Sequence, residues 1–493
     1  MLLLGIDLGS SSVKASVLDG ETGDCLASAF MPANEMKIIA TQPGWAEQEP
    51  DEWWKNLVMA VRKCTDSLGN KSKSIGAIGI SYQMHGLVVV DRNHEVLRPS
   101  IIWCDSRAVP YGKNAYESLG KDFCQTDLLN SPGNFTASKL AWVKHNEKKL
   151  YDSIHKIMLP GDYVAMKLTG YLKTTYTGLS EGILWNFRTD SPSGEVLDHF
   201  GFSHDILPEA VPSFSIQGHL LPEIASELGL KEGIPVSYRA GDQPNNALSL
   251  NVLNPGEVAA TAGTSGVIYG VTDSKSSDPF SRVNTFLHVN HTAENPRLGV
   301  LLCINGTGIL NSWVRKITGP GMKYDDMNKL ASEVKPGSDG LTILPFGNGS
   351  ERMLGNIEPG SVFSGINFNT HTEAHIFRAV QEGIAFSFRY GLDIMQQTGI
   401  SASVMRAGAA NMFLSPLFRE AVSCVTGSEI DLYNTDGSLG AARGAGLGCG
   451  YFKTGEEAFS GLKTVGKTLP DRSKASAYEE AYHRWKTMLA KMI

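Results

Sequence analysis

Leu2-Leu3-Leu4-Gly5-Ile6-Asp7-Leu8-Gly9-Ser10-Ser11-Ser12-Val13-Lys14 is an apolar run broken by one carboxylate, then a glycine and three hydroxyls. A strand of leucine and isoleucine does not carry an aspartate inward unless something offsets its desolvation. Residues 9–12 read as a tight turn and 13–18 as the returning strand. Backbone N–H groups and hydroxyls of such a turn can hold phosphate oxygens, while Asp7 holds a hydrated Mg²⁺ beside them. The alternative is an ordinary hairpin with a polar turn, and this stretch alone leaves both readings open.

Outward from the hairpin, strand and helix alternate. Pro50-Asp51-Glu52-Trp53-Trp54 opens a helix with acidic residues at its N-terminus. Ile75-Gly76-Ala77-Ile78-Gly79-Ile80-Ser81 is a strand leading into Tyr82-Gln83-Met84-His85-Gly86, and Leu87-Val88-Val89-Val90 is another. Near 235 the pattern returns: Pro235-Val236-Ser237-Tyr238-Arg239-Ala240 is a strand ending in Gly241-Asp242. Residues 258–269 are a strand, a small-residue turn and a strand, and Gly263-Thr264-Ser265 echoes Gly9-Ser10-Ser11. Two phosphate-turn hairpins imply two related α/β halves serving one nucleotide. No low-complexity linker parts them, so the boundary falls near 245 to 255, and the domains expected are 1–248 and 249–493.

A chain of 493 residues exceeds a single core, in keeping with two domains. With 42% hydrophobic and 19% charged residues the composition is that of an ordinary globular protein. A net charge of −7 and the lack of a basic cluster argue against nucleic-acid and membrane-surface roles. The start meets Asp7 almost at once and has no basic region, so it reads as a strand and not a signal peptide. Seven scattered cysteines without a Cys-x-x-Cys pair fit reduced thiols in a cytoplasm and no structural zinc.

Several motifs, in order, carry a resemblance to the FGGY carbohydrate kinases over essentially the whole length. Asp7-Leu8-Gly9-Ser10-Ser11 is similar to their first phosphate motif, Gln83-Met84-His85-Gly86 to a sugar-binding tetrapeptide, and Trp103-Cys104-Asp105-Ser106-Arg107 to a Trp-x-Asp-x-Arg run. Residues 139–147 resemble the first family signature, with Asn134 and His145 departing from the usual types. Gly241-Asp242-Gln243 matches the catalytic tripeptide, and residues 361–383 resemble the second signature, with Gln381 where an apolar residue is usual. Ala407-Gly408-Ala409-Ala410-Asn411 stands at a normally glycine-rich adenosine motif, and residues 437–442 are similar to a small-residue helix of the family.

The resemblance implies two ribonuclease-H-like, actin-like ATPase domains about a central cleft, the first binding sugar and the second nucleotide. It implies ATP and Mg²⁺ as cofactors, a pentulose as acceptor and a homodimer. Phosphoryl transfer needs positioning, charge neutralisation and a carboxylate to take the hydroxyl proton. Asp242 is the expected base, although an aspartate before residues 245–248 can also be a plain N-cap. Asp7 is expected to hold Mg²⁺ through water, and Gly9, Ser11, Ser12, Gly263 and Thr264 to hold phosphates. Met84, His85, Trp103 and Asp105 are expected at the sugar together with Asp242. Trp103 can equally be core, and Asp105 with Arg107 a structural ion pair. Gly308, Ser312, Gly408 and Asn411 are expected at the adenosine, where small residues let a flat base lie close; close helix packing is the alternative.

The tetrapeptide implies D-xylulose, phosphorylated at O5. L-ribulose, L-fuculose, L-xylulose and gluconate are alternatives, and a chaperone-like ATPase or sugar sensor is an alternative of another class. One motif misleads. Gly461-Leu462-Lys463-Thr464-Val465-Gly466-Lys467-Thr468 fits the P-loop pattern, yet a polar helix end precedes it and Pro470 follows, whereas a P-loop needs a buried strand before and a helix after.

Overall fold

The structure, a computed structural model, describes all residues Met1–Ile493. In the first unit a six-stranded sheet contains β1 (Leu2–Leu8), β2 (Val13–Asp19), β3 (Cys25–Met31), β4 (Ile75–Tyr82), β5 (Phe214–His219) and β6 (Pro235–Gly241), in the order β5-β6-β4-β1-β2-β3. The hairpin of β1 and β2 is antiparallel with Asp7 opposite Lys14, and β3 continues it antiparallel. On the other side β4 and then β6 run parallel to β1, and β5 closes the edge antiparallel.

Alternation along β1 sends side chains to opposite faces. Leu2, Leu4, Ile6 and Leu8 join a core with Trp53, Leu57 and Val61 of the Pro50–Leu68 helix. Leu3 falls in a second cluster with Leu439, Ala442 and Ala445 of the Gly437–Gly448 helix. Gly5 and Gly79 lie under that helix so closely that a β-carbon would stand 1.8 Å from the Ser438 carbonyl oxygen and 2.0 Å from that of Ala441. Asp7, two residues beyond Gly5, shares this face.

The second unit repeats the order. β7 (Val258–Ala262) and β8 (Gly266–Thr272) form an antiparallel hairpin around residues 263–265, with β9 (Leu298–Ile304) beside β8. β10 (Val404–Gly408) runs parallel to β7, β11 (Glu429–Tyr433) parallel to β10, and β12 (Thr464–Thr468) antiparallel to β11. The buried helix Glu373–Met395 supplies Phe377, Val380, Ile384 and Phe388 to this unit's core.

The chain does not divide at one cut between 248 and 249. The first unit comprises Met1–Leu253, Phe286–Leu298 and Thr435–Leu462; the second comprises Asn254–Thr285, Gly299–Asn434 and Lys463–Ile493. The 437–448 helix returns because the glycine-lined face of β1 and β4 leaves room for a small-residue helix to bury its alanines there. No helix is long and apolar enough to cross a membrane.

Candidate active site

The outward face of the β1–β4 pair builds the first part of the site. Asp7 is half-buried, and Ser81, its neighbour across the parallel pair, donates to Asp7 Oδ1 at 2.7 Å. The start of the 437–448 helix abuts the same carboxylate: a β-carbon on Gly437 would stand 2.3 Å from Asp7 Oδ2. Asp436 caps that helix by accepting from the Ser438 and Leu439 N–H groups, and Lys14 binds it at 2.6 Å. Burial opposes the charge on Asp436, but Lys14 and Ser438 hold its carboxyl below the ordinary value. Lys14 also pulls on Asp7, but as the weakest of the influences there. Burial raises the Asp7 pKa and Asp436 adds to the rise, against the hydrogen bond from Ser81.

Asp242 follows β6 directly. Gly241 takes the N-cap position and Asp242 is the first residue of the Asp242–Ser249 helix, with no side-chain cap bond from Gly241, so the N-cap reading of Asp242 does not hold. The carboxyl is pushed up to about 7, first by desolvation and then by the charge of Asp7. An acid with this pKa takes up or releases a proton near neutral pH, which is what a general base needs.

Beside it stands Glu181, a residue the sequence reading missed. It is 1% exposed, and burial pushes its carboxyl well above the usual range, with Asp242 adding repulsion. Glu181 Oε1 accepts the His85 N–H at 3.3 Å, and its carbonyl oxygen lies 3.0 Å from His85 Nδ1. A carbonyl oxygen only accepts, so Nδ1 carries a proton and donates it to Glu181. The ring packs against Phe135 and Phe286, and the backbone at His85 has φ 61°. The His85 carbonyl accepts from Lys139 Nζ at 2.6 Å. Lys139 is wholly buried, and burial brings its ammonium down to about 7 against the pull of Asp105, Cys104 and Glu181. Met84 is buried at 4% exposure. The chemistry-bearing types at 139 and 181 are visible in the sequence, but no spacing rule ties them to residue 85.

Trp103 lies beside the first turn: it is 52% exposed and its indole N–H points to Ser10 Oγ at 3.5 Å. Ser11 is exposed, Ser12 half-buried, and the Gly9 N–H donates to the Ser12 carbonyl at 3.0 Å. The Gly9 N–H expected to face a phosphate instead closes the turn. Asp105, expected at the sugar, takes the alternative role. It is fully buried, accepts the Ala46 N–H at 2.6 Å, and binds Arg107 Nη2 at 2.7 Å. Arg107 also reaches Glu47 at 2.7 Å and lies over the Trp45 ring, 3.7 Å from its centroid. The pair ties the segment that carries Trp103 to the body of the unit.

The second unit holds a cavity of about 510 Å³. Gly263, Thr264, Gly308, Ser312 and Asn411 all line it. The turn after β7 docks on the start of the Gly308–Thr318 helix through Gly308 N–H to the Gly263 carbonyl at 2.9 Å and Ile309 N–H to that of Thr264 at 3.1 Å. Buried Glu351 fixes the preceding loop by accepting the N–H groups of Asn305 and Gly306, each at 3.0 Å. Asn411 adopts φ 53°, the left-handed conformation that glycine takes most readily. Gly408 ends β10 and does not line the cavity, whereas Tyr324, Asn328 and Ser415, not expected from the sequence, do. Lys467 sits on β12 and pairs with Glu429 and Asp431, with no helix after it until Ala475, so no P-loop forms.

Repeated α/β units with hydroxyl-bearing turns, a titratable carboxylate and a separate cavity are the parts of a sugar kinase. The chain belongs to the FGGY family of carbohydrate kinases: the family's N-terminal domain matches residues 2–249 and its C-terminal domain residues 258–444. It is 27% identical to the xylulose kinase of Bacillus subtilis (strain 168), over 99% of this chain and 96% of that protein. It is 29% identical to a probable L-xylulose kinase of Haemophilus influenzae, over 98% of this chain and 97% of that protein. The crystal structure of a xyloylose kinase from Brucella ovis matches with TM-score 0.90 and 26% identity, over 100% of this chain and 99% of that one.

Proposed function

We propose that this sugar kinase transfers the γ-phosphoryl group of ATP to O5 of D-xylulose. The observation that carries the reading is Asp242, whose carboxyl is held at about 7 by desolvation and by Asp7. Asp242 takes the proton from O5 as the O5–phosphorus bond forms and the bond from phosphorus to the ADP oxygen breaks, so that sugar 5-phosphate and ADP leave. His85, held by Glu181 and Lys139, presents its ring to a sugar hydroxyl, and Trp103 an apolar face. Ser11, Ser12 and Thr264 donate to phosphate oxygens, and the cavity lined by Gly308, Ser312 and Asn411 takes the adenosine.

Burial raises the pKa of both Asp7 and Asp242, and the charge of Asp7 adds to the rise at Asp242, an arrangement that a cation relieves. Two carboxylates fit Mg²⁺, which keeps several waters and binds few protein oxygens. Bound there, it would supply charge neutralisation at the phosphates, with Asp7 as its carboxylate.

The resemblance to proteins named xylulose kinases supports xylulose as the acceptor. A second reading, L-xylulose, draws on the relative at 29% identity. ADP release measured across a panel of ketoses, aldoses and polyols decides between them. The reading requires the highest kcat/KM with D-xylulose and little release without sugar. Sugar-independent ATP hydrolysis at a comparable rate overturns the kinase assignment to a pentulose.

A further inference from the structure

Gln381 stands where the family signature usually has an apolar residue, and its side chain is engaged at both ends. It is wholly buried on the Glu373–Met395 helix. Its Nε2 donates to Asn328 Oδ1 at 2.9 Å, and its Oε1 accepts from Ser415 Oγ at 2.6 Å. Asn328 belongs to the Tyr324–Ser332 helix, and Ser415 caps the Pro416–Thr426 helix by accepting the Phe418 N–H. Both partners line the 510 Å³ cavity of the second unit. One buried amide therefore spans two walls of that cavity from behind.

The direction of these bonds has a chemical consequence. A side-chain amide has one acceptor oxygen and one NH₂ group. With Asn328 Oδ1 engaged by Gln381, the NH₂ group is the donor that Asn328 keeps for a ligand. An apolar residue at 381 leaves that amide free to rotate and strips Ser415 of its acceptor.

Resting on the nucleotide reading of this cavity, we propose that Gln381 is a positioning residue that turns the Asn328 NH₂ toward the cavity as donor to a ring nitrogen of a purine nucleotide. Purine ring nitrogens such as N7 are acceptors, so the donor and the base edge are complementary. The residue acts through Asn328 and does not touch the reacting atoms.

The test is ADP binding by calorimetry, without sugar or turnover, with 1-deaza, 3-deaza and 7-deaza analogues alongside. In the wild-type protein one analogue binds about five- to tenfold more weakly than ADP, the worth of one neutral hydrogen bond. In Gln381→Leu the affinity for ADP falls by a similar factor and the handicap of that analogue disappears, because the two losses are the same bond. KM for sugar stays unchanged. Asn328→Ala, at a half-buried position, must abolish the same handicap if Gln381→Leu does not fold. Equal binding of all three analogues and ADP to the wild type, or a handicap that persists in either variant, overturns the proposal. Absence of any ADP binding to the wild type overturns the nucleotide reading itself and this inference with it.

Discussion

Replacing Asp242 with asparagine removes a charge and keeps the shape, so it separates the proton-accepting role from packing. The folded carboxyl titrates at about 7, against an ordinary value of 3.8. A carboxyl whose pKa is raised on folding binds more protons folded than unfolded between those two values. Stability therefore falls as pH rises from about 4 to 7 and levels off above that. About three units at ~1.4 kcal/mol each set an upper bound of about 4 kcal/mol on the cost of this charge. Asp242 is half-buried, so solvent screens part of it, and roughly 1–2 kcal/mol is expected above neutral pH. Asp242→Asn, free of metal and nucleotide, should then melt roughly 1–3 °C higher than wild type at pH 8, with the gap closing toward pH 5. In the coupled ADP assay, the same variant should lose about 10²–10⁴-fold in kcat. Wild-type kcat/KM should rise with pH through a limb below 7, because the bound cation draws the Asp242 pKa down from its metal-free value of about 7. A variant with melting temperatures equal to wild type across this range and turnover within tenfold of it would refute both the raised pKa and the base assignment.

Lys139→Met removes the ammonium that binds the His85 carbonyl, and one charged hydrogen bond corresponds to roughly a 10- to 100-fold rise in KM for sugar. Initial rates at saturating nucleotide check it, and KM for ATP should not move. Asp105→Asn leaves Arg107 with Glu47 alone, so denaturant unfolding should show a loss of roughly 2–4 kcal/mol, below the usual cost of breaking a buried pair because Glu47 remains. Lys467→Ala should leave turnover within twofold of wild type, since Lys467 pairs on an exposed strand with Glu429 and Asp431; a tenfold loss in kcat would contradict the placement.

Local pattern determined a large part of this protein. The β1–β2 and β7–β8 hairpins are legible because apolar runs flank short turns of glycine and hydroxyl residues. The failure of the 461–468 motif is legible from charge and proline alone. Strand alternation even assigns Asp7 to the face of Leu3 and Gly5. What covers that face was decided only in three dimensions. The 437–448 helix lies more than 400 residues away and reaches β1 because its own small residues and Gly5 and Gly79 allow backbone to approach backbone. The same holds for Glu181 and Lys139 around His85, for Glu47 meeting Arg107, and for Gln381 behind Asn328 and Ser415. Each is a buried polar group whose partner comes from a distant segment, and burial obliges it to find one. Periodicity reports which side a residue faces; only the packed chain decides what it meets there.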